Sequence, residues 1–422
     1  MPRLKAPSVP SGHVGHREWS SLLSICGGAL GGLVFGYDAG VLSSTLPEVA
    51  HFYSLSSSAL GLTVSSGVGG MFCGSLFAGG IAERFGRRTC LQMVGALYAG
   101  SILACASAGA WSVFLSSRLC AGLGVGMLTT VCPMYLAEIA PVPRRGRIVG
   151  AFQLSISCGI LAAFGLHLLL SSLVHKPAWR IEYFLAVIPV LLFLACLMFA
   201  VESLLVHAGS ATESASYTSE WPWQRRYAKP LMLAVVLASL NQLSGVNPLL
   251  YYLKVTLESS QMSVFGSNQG LVAIAAINLL ATAAALGLID RFGRRPLLLV
   301  GSAGMAMAMG GIAALFIFGH AGRLIIPCII LFDIFFSMSQ GAVFWVFLSE
   351  IFPLPVRARG QSVGSATHWG WNIALGAIFP VVFARWHAVP FIVFSSMMLL
   401  QGFLVATIFP ETRGRQLWQV SS

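Results

Sequence analysis

The pentapeptide RFGRR occurs at residues 84–88 and again at residues 291–295, each time directly after a long apolar segment. A second motif also recurs, since EIAPVPRRGR begins at Glu138 and EIFPLPVRARG begins at Glu350. The two offsets are 207 residues (291 − 84) and 212 residues (350 − 138). Two motif pairs at nearly one offset indicate a duplicated unit. Parallel repeats of this kind are typical of secondary transporters, whose substrate site lies between the halves near the middle of the membrane.

The composition places the chain in a membrane. Of its 422 residues, 56% are hydrophobic and only 9% are charged, whereas soluble domains carry about 25% charged residues. That excludes an ordinary soluble enzyme, a secreted disulfide scaffold and a disordered protein. The net charge of +11 falls in short clusters between apolar runs, which favours membrane topology over nucleic-acid binding. The nine cysteines have no metal-ligand spacing, so neither a metal nor a cofactor is expected.

Twelve segments are apolar over the roughly 20 residues that a helix needs to cross a bilayer. The sequence therefore predicts an all-α membrane protein with twelve transmembrane helices in two six-helix halves. The expected spans are 20–42, 58–81, 90–109, 113–137, 148–172, 181–201, 230–256, 268–289, 297–318, 323–348, 361–384 and 389–409. The expected organisation is an N-terminal segment (1–19), an N-terminal half (20–202), a short linker (203–229), a C-terminal half (230–409) and a tail (410–422).

The distribution of basic residues predicts the orientation. Of the 25 Lys and Arg residues, 19 fall in loops on one side, 5 fall on the other, and Arg118 lies inside a span. Because cytoplasmic loops carry the excess of positive charge, both termini and the linker are expected in the cytoplasm. Compact loops without an N-glycosylation sequon favour a bacterial inner (plasma) membrane.

Seven motifs, spread over nearly the whole chain, resemble the sugar porter family of the major facilitator superfamily. They are GYDAGVLSSTL (36–46), ERFGRR (83–88), EIAPVPRRGR (138–147), QLSGVNPLLYY (242–252), DRFGRR (290–295), WVFLSEIFPLPVRARG (345–360) and PETRGR (410–415). The resemblance is strongest to bacterial proton-coupled sugar symporters and facilitative glucose transporters. It implies the major facilitator fold and a monosaccharide substrate, either a hexose or a pentose.

The chain departs from this family in several places. VESLLVHAGS keeps only a trace of the PESPRW-type motif after span six, and the linker is much shorter than the family's cytoplasmic helical domain. Asn241 replaces the first of two paired glutamines, and His368 stands where Asn or Gln is expected. Ser337 stands where glucose facilitators carry a carboxylate.

Neutral amides inside apolar spans form the candidate sugar site. Such groups both donate and accept hydrogen bonds, as sugar hydroxyls require, and in lipid they must be paired with another helix or a ligand. The resemblance assigns Trp345 as the ring that stacks on the sugar, and His368 could bind a hydroxyl or titrate. Helix–helix contact is the alternative role for each residue. The candidates are Gln153, Asn241, Gln242, Asn247, Asn278, Trp345 and His368.

Asp38, near the end of the first predicted span, and Arg118, early in the fourth, are the candidate proton-coupling pair. A charged residue at the centre of a membrane helix costs about 2.5–3.5 kcal/mol, which an opposite charge can offset. The resemblance implies that Asp38 is protonated during symport and that Arg118 is its partner. A static salt bridge is the alternative. Asp333 is a second intramembrane acid without an assigned role.

Acidic and basic residues at the cytoplasmic ends are the candidate gate. The resemblance implies charge networks that close the inner side while the protein is open to the outside. The residues are Glu138, Arg87, Arg88, Arg147, Glu350, Arg294, Arg295 and Arg359.

The expected function is transport of a monosaccharide by alternating access, coupled to protons, in a monomer embedded in the lipid bilayer. A sugar uniporter and a non-transporting sugar sensor are the alternatives. No P-loop, zinc spacing or nucleophile elbow is present in the sequence, so an enzyme is not expected.

Overall fold

The computed structural model describes residues 13–173, 178–202, 220–250, 267–320 and 324–414. These ranges are almost entirely helical and contain no β-strand. The N-terminal half comprises α1 (His13–Phe52), α2 (Ser57–Phe85), α3 (Arg87–Ser107), α4 (Trp111–Ile139), α5 (Arg145–Leu173), α6 (Ala178–Leu185) and α7 (Val187–Phe199). The C-terminal half comprises α8 (Ala228–Gln242), α9 (Ser267–Phe292), α10 (Arg294–Ile317), α11 (Ile325–Phe336), α12 (Ala342–Glu350), α13 (Arg357–Arg385) and α14 (Val389–Thr407).

The helices confirm the predicted fold class. Eleven helical runs among the described residues are long and apolar enough to span a membrane. The twelfth span is α13, which has 29 residues but is less apolar because its first half carries several polar side chains that are buried inside the protein. Spans six and ten each consist of two helices in succession, α6–α7 and α11–α12, so the fourteen labelled helices form twelve crossings.

The first span is longer than the predicted 20–42. Helix α1 continues to Phe52 and contains Pro47. The extension remains helical because it packs against protein rather than lipid. Val49 is buried, and the Glu48 carboxylate accepts the backbone N–H of Trp179 at 3.2 Å. Asp38 therefore lies in the body of a long helix and not near its end, which corrects the sequence-based placement.

Close helix crossings fix the geometry of the N-terminal half. Helix α1 approaches α5 so tightly at Gly36 that a Cβ atom there would lie 2.0 Å from the Ile156 carbonyl oxygen. Helices α2 and α4 cross equally closely at Gly122, where a Cβ atom would lie 2.0 Å from the Gly67 oxygen. Small residues at such crossings allow membrane helices to pack through their backbones. These contacts set the relative positions of Asp38 on α1 and Arg118 on α4.

Two glutamates cap equivalent helices in the two halves. The Glu202 carboxylate accepts the backbone N–H groups of Arg87 and Arg88 at the start of α3. The Glu411 carboxylate accepts those of Arg294 and Arg295 at the start of α10. Carboxylates stabilise helix N-termini because the first N–H groups lack partners within the helix. The trace motif VES thus retains a structural role that its weak sequence match did not reveal.

Candidate substrate cavity and charge pair

A cavity of about 210 Å³ lies between the two halves. Helices α1, α2, α4 and α5 line it from one side, and α9, α11, α12, α13 and residues 241–250 line it from the other. Of the nine residues predicted for coupling and sugar binding, eight line this cavity, and Gln242 does not. A cavity at the interface of the halves is where a transporter of this architecture binds its substrate.

Asp38 and Arg118 form a buried, bidentate ion pair. Arg118 donates from Nη1 to Asp38 Oδ1 at 2.6 Å and from Nη2 to Oδ2 at 3.1 Å, and both side chains are fully buried. The Tyr98 hydroxyl also donates to Asp38 Oδ1 at 2.9 Å. Tyr98 was not identified from the sequence, because nothing in α3 marks which tyrosine faces α1. The Asp38 carboxylate therefore accepts hydrogen bonds from three donor groups.

Gln153 and Trp345 meet across the two halves. The Trp345 indole N–H donates to Gln153 Oε1 at 3.1 Å, and both residues line the cavity. The Trp345 ring packs edge-on against Phe152 and Phe344, with centroid distances of 5.7 and 4.7 Å. The amide Nε2 of Gln153 donates to no described residue, so this donor is available to a ligand.

Gln242 lies behind the cavity wall and connects two residues that line it. Its Oε1 accepts from Asn247 Nδ2 at 2.7 Å, and its Nε2 lies 2.7 Å from His368 Nε2. The imidazole stacks on the Phe344 ring at 5.0 Å. Gln242 is thus placed to position Asn247 and His368, whereas the sequence analysis expected it to contact the sugar directly.

Asn241 points into a second polar network. Its Nδ2 donates to Gln340 Oε1 at 3.0 Å, and the Gln340 amide donates in turn to Gln401. Gln401 continues the chain to the Ser302 hydroxyl at 2.8 Å. Gln340 lies within the turn of π-helix at Ser337–Gly341 that interrupts span ten. Such bulges are frequent at functional sites.

Asn278 lies at the centre of a cluster that joins the halves. Its Oδ1 accepts the Ser157 hydroxyl of α5 at 2.6 Å, and its Nδ2 donates at 2.8 Å to both Asp333 Oδ1 and Ser337 Oγ. Asn278 and Asp333 both line the cavity. The sequence alone assigns no role to Asp333, because residues 55 positions apart meet here.

Each half contains one glutamate–arginine pair of the candidate gate. Arg87 donates to both oxygens of Glu138 at 3.2 Å, and Arg294 donates to both oxygens of Glu350 at 3.1 and 2.8 Å. The Thr412 hydroxyl also donates to Glu350, at 2.6 Å. These pairs lie within a half, so they hold helices of the same repeat together.

Arg88 and Arg295 do not reach those glutamates. Their guanidinium groups donate to main-chain oxygens at the ends of α7 and α14, including those of Leu197 and Val405 at 2.8 and 3.0 Å. The reason is helical geometry, since neighbouring residues on a helix point to different faces. The expectation that they pair with Glu138 and Glu350 is therefore not met in this structure.

Two equivalent contacts join the halves at one face. Arg359 at the start of α13 donates to Glu83 at the end of α2, at 3.1 Å. In the equivalent contact, Asp290 at the end of α9 in the C-terminal half accepts the backbone N–H of Arg147 in the N-terminal half at 2.9 Å. A third contact runs from the Gly79 N–H to the Ser362 hydroxyl at 2.7 Å. We call this end of the molecule the arginine-rich face.

The last residues of the linker pack on the same face. The Glu220 N–H donates to the Pro355 carbonyl at 3.0 Å, and the Arg359 guanidinium lies 4.3 Å from the Trp221 ring centroid. A cation over an indole ring is attracted by the negative face of the ring. The shortened linker therefore still contacts the inter-half pair Arg359–Glu83.

The twelve-span fold, the duplicated halves and the cavity between them define a secondary transporter of the major facilitator type. The family model "Sugar (and other) transporter" matches residues 25–422. The chain belongs to this family.

Named relatives and solved structures agree with that assignment. The chain is 30% identical to the arabinose-proton symporter of Bacillus subtilis (strain 168), covering 98% of this chain and 97% of the symporter. It is 30% identical to the galactose-proton symporter of Escherichia coli (strain K12), covering 91% and 90%. It is also similar to the proton:xylose symporter XylE bound to 6-bromo-6-deoxy-D-glucose, with a TM-score of 0.85, 26% identity and coverage of 95% and 98%. For the inward-open XylE of E. coli, at the same identity and coverage, the TM-score is 0.72.

Proposed function

We propose that this protein is a proton-coupled monosaccharide symporter of a bacterial inner membrane, with both termini in the cytoplasm. The observation that carries the proposal is the joint lining of one cavity by the Asp38–Arg118 pair and by neutral amides. Similarity to arabinose- and galactose-proton symporters supports both the substrate class and the coupling ion. One chain supplies both walls of the cavity, so a monomer is the proposed transport unit.

The proposed cycle begins in the conformation described above. The halves are joined at the arginine-rich face, which is proposed to be cytoplasmic, and the cavity lies toward the other side. Sugar hydroxyls bind Gln153 of one half and Asn247 of the other, with Trp345 against the apolar face of the ring. A sugar that contacts both halves binds more tightly when the halves are close together around it. This difference in affinity between conformations is what allows a ligand to drive a rocking transition.

Protonation of Asp38 is the proposed coupling step. A neutral carboxyl no longer attracts Arg118 as an ion, so the contact between α1 and α4 weakens and the N-terminal half can rearrange. When the cavity opens to the cytoplasm the proton leaves, and the Arg118 charge again favours the ionised carboxylate. In the empty protein with a deprotonated Asp38, the Asp38–Arg118 ion pair stays formed. Sugar and proton are therefore proposed to cross the membrane together.

Asp38→Asn tests this proposal. The amide retains hydrogen-bonding capacity but cannot carry a proton, so uphill sugar accumulation driven by a pH gradient should be lost. Sugar exchange at equal concentrations on both sides should remain. Both are measured with labelled sugars in proteoliposomes.

The matched control is Glu182→Gln, which neutralises a different buried acid of the same half. Glu182 contacts His167 at 2.8 Å and is not among the cavity-lining residues, so this variant should still accumulate sugar. Accumulation by Asp38→Asn would place the proton site elsewhere. If the wild type exchanges sugar but never accumulates it under a proton gradient, the protein is a uniporter with a static ion pair. If the wild type binds sugar without exchanging it, the protein is a sensor.

A further inference from the structure

Among the described residues, the acidic and arginine side chains that line the cavity do not pair off completely. They are Asp38, Arg118 and Asp333. Arg118 is bidentate on Asp38, so these two neutralise each other. No described residue forms an ion pair with Asp333. One carboxylate therefore faces the cavity without a counter-charge, in a setting where an unpaired charge is costly.

The two oxygens of Asp333 differ. Oδ1 accepts from Asn278 Nδ2 at 2.8 Å, while Oδ2 is buried and has no hydrogen-bond partner among the described residues. The Asn278 amide also bonds two hydroxyl groups, because its oxygen accepts from Ser157 and its nitrogen donates to Ser337. Asp333 thus accepts one N–H donor, at Oδ1. Oδ2 remains as an acceptor without a donor.

Aromatic rings also line the cavity. Phe332 and Phe336 lie on the same helix as Asp333, both line the cavity, and their rings stack at 5.9 Å. Phe344 and Trp345 complete the aromatic lining on the next helix. A carboxylate among aromatic rings is the environment that recognises organic ammonium groups.

We propose that Asp333 binds the ammonium group of an amino-substituted monosaccharide. The ammonium donates to Oδ2, balances the charge of the cavity and lies near the faces of the neighbouring rings. The sugar hydroxyls occupy the amides already described. This inference rests on the proposed function, because it names a substrate class for the same cavity.

Equilibrium binding separates the proposal from its alternatives. Calorimetry at pH 7 on the purified full chain in lipid nanodiscs would use D-glucose, D-galactose and D-mannose. Each would be compared with its 2-amino-2-deoxy, 6-amino-6-deoxy and 2-acetamido-2-deoxy analogues. At least one amino analogue should bind about tenfold more tightly than its neutral parent, and the acetamido analogue should not, because its nitrogen carries no charge.

Asp333→Asn should reduce that preference to about onefold. The matched variant Ser337→Ala removes the other acceptor of the Asn278 amide but keeps the carboxylate, so it should retain the preference. If Asp333→Asn does not fold, the pH dependence of binding by the wild type tests the proposal instead. Its preference for the amino sugar over the neutral parent must fall as rising pH deprotonates the ligand amine.

Equal binding of amino and neutral sugars by the wild type would overturn the proposal. So would a preference that survives in Asp333→Asn. A variant that changes only the pH dependence of neutral-sugar binding would identify Asp333 as a proton site instead, which also overturns it. Absence of binding by every neutral sugar would count against the proposed function, whereas neutral binding without amine preference would count against this inference alone.

Discussion

Gln242 is predicted to influence sugar binding although it does not line the cavity. It is fully buried and joins Asn247 to His368, both of which line the cavity. Removing its amide takes a hydrogen-bond partner from the buried His368 and from the partly buried Asn247, at a cost of about 1–3 kcal/mol. Gln242→Ala should therefore weaken sugar binding by roughly ten- to a hundredfold, measured by calorimetry on the purified protein.

Ser244→Ala is the control for that variant. Ser244 is also fully buried on the same segment, but its hydroxyl bonds only to the nearby Asn241 carbonyl at 2.6 Å. It should change the affinity by far less than Gln242→Ala. Equal effects of the two substitutions would mean that the segment, and not the Gln242 contacts, determines the affinity.

The role of a site residue could be predicted from the sequence where a polar side chain stands alone in an apolar segment. Asp38 and Arg118 were recognisable as a pair because neither charge is tolerable in lipid without the other. Tyr98 and Gln340 were not recognisable, because their roles depend on which side of a helix faces a neighbour. That rotation is set by close crossings such as that of Gly36 with α5, which involve residues far apart in the chain.

At the scale of elements, the break in span seven determines how its amides meet. Residues five apart on a continuous helix are rotated by about 140° and face different neighbours. Helix α8 instead ends at Gln242, and the turn over residues 243–245 lets Asn247 reach back to it. Gly245 permits the turn because its φ is +88°, a conformation that L side chains rarely adopt.

Gly245→Ala should lower both stability and sugar affinity. The left-handed backbone costs a residue with a Cβ atom about 1–2 kcal/mol, and that atom would lie 2.5 Å from the Phe394 ring. Thermal unfolding should shift by several degrees, with weaker sugar binding measured in parallel. Gly287→Ala is the control, because a Cβ atom there meets nothing within 4 Å. A Gly245 variant as stable as this control would show that the turn tolerates a side chain.

The existence of the helices was predictable because eleven of the spans are strongly apolar by hydropathy alone, and α13, although less apolar, is also a long run with few charges. Their ends and interruptions were not. The extension of α1 to Phe52 depends on burial against neighbouring helices, and the π-helical turn at Ser337–Gly341 leaves no signal in composition. Residues 251–256, included in the seventh predicted span, lie outside the described residues.

At the scale of the whole molecule, closure at the arginine-rich face depends on close approach of α2 and α13. A Cβ atom at Gly79 would lie 2.4 Å from the Ala358 carbonyl oxygen across the two halves. Gly79→Ala should therefore disfavour the closed state by about 1–3 kcal/mol, which is the usual cost of overpacking. The population open at this face should rise by about tenfold or more.

Thiol labelling measures that shift. Ser365 on α13 is fully buried, so the rate at which Ser365→Cys reacts with an impermeant maleimide in inside-out vesicles reports the opening. Gly80→Ala is the control, because a Cβ atom at this neighbouring position meets nothing within 4 Å. Faster labelling in the Gly79 variant alone is expected. Equal rates in the two variants would show that the contact does not limit opening.

Two hydrogen bonds between the halves at the arginine-rich face are donated by main-chain N–H groups, which affects how these contacts can change in evolution. The N–H groups of Gly79 and Arg147 hold Ser362 and Asp290 of the opposite half. Every residue except proline supplies that donor, so most mutations at position 147 leave the hydrogen bond in place. Drift can therefore alter the side chain at position 147 without removing this hydrogen bond. The acceptors are vulnerable to single substitutions, and they are the positions through which selection can adjust how readily the two halves separate.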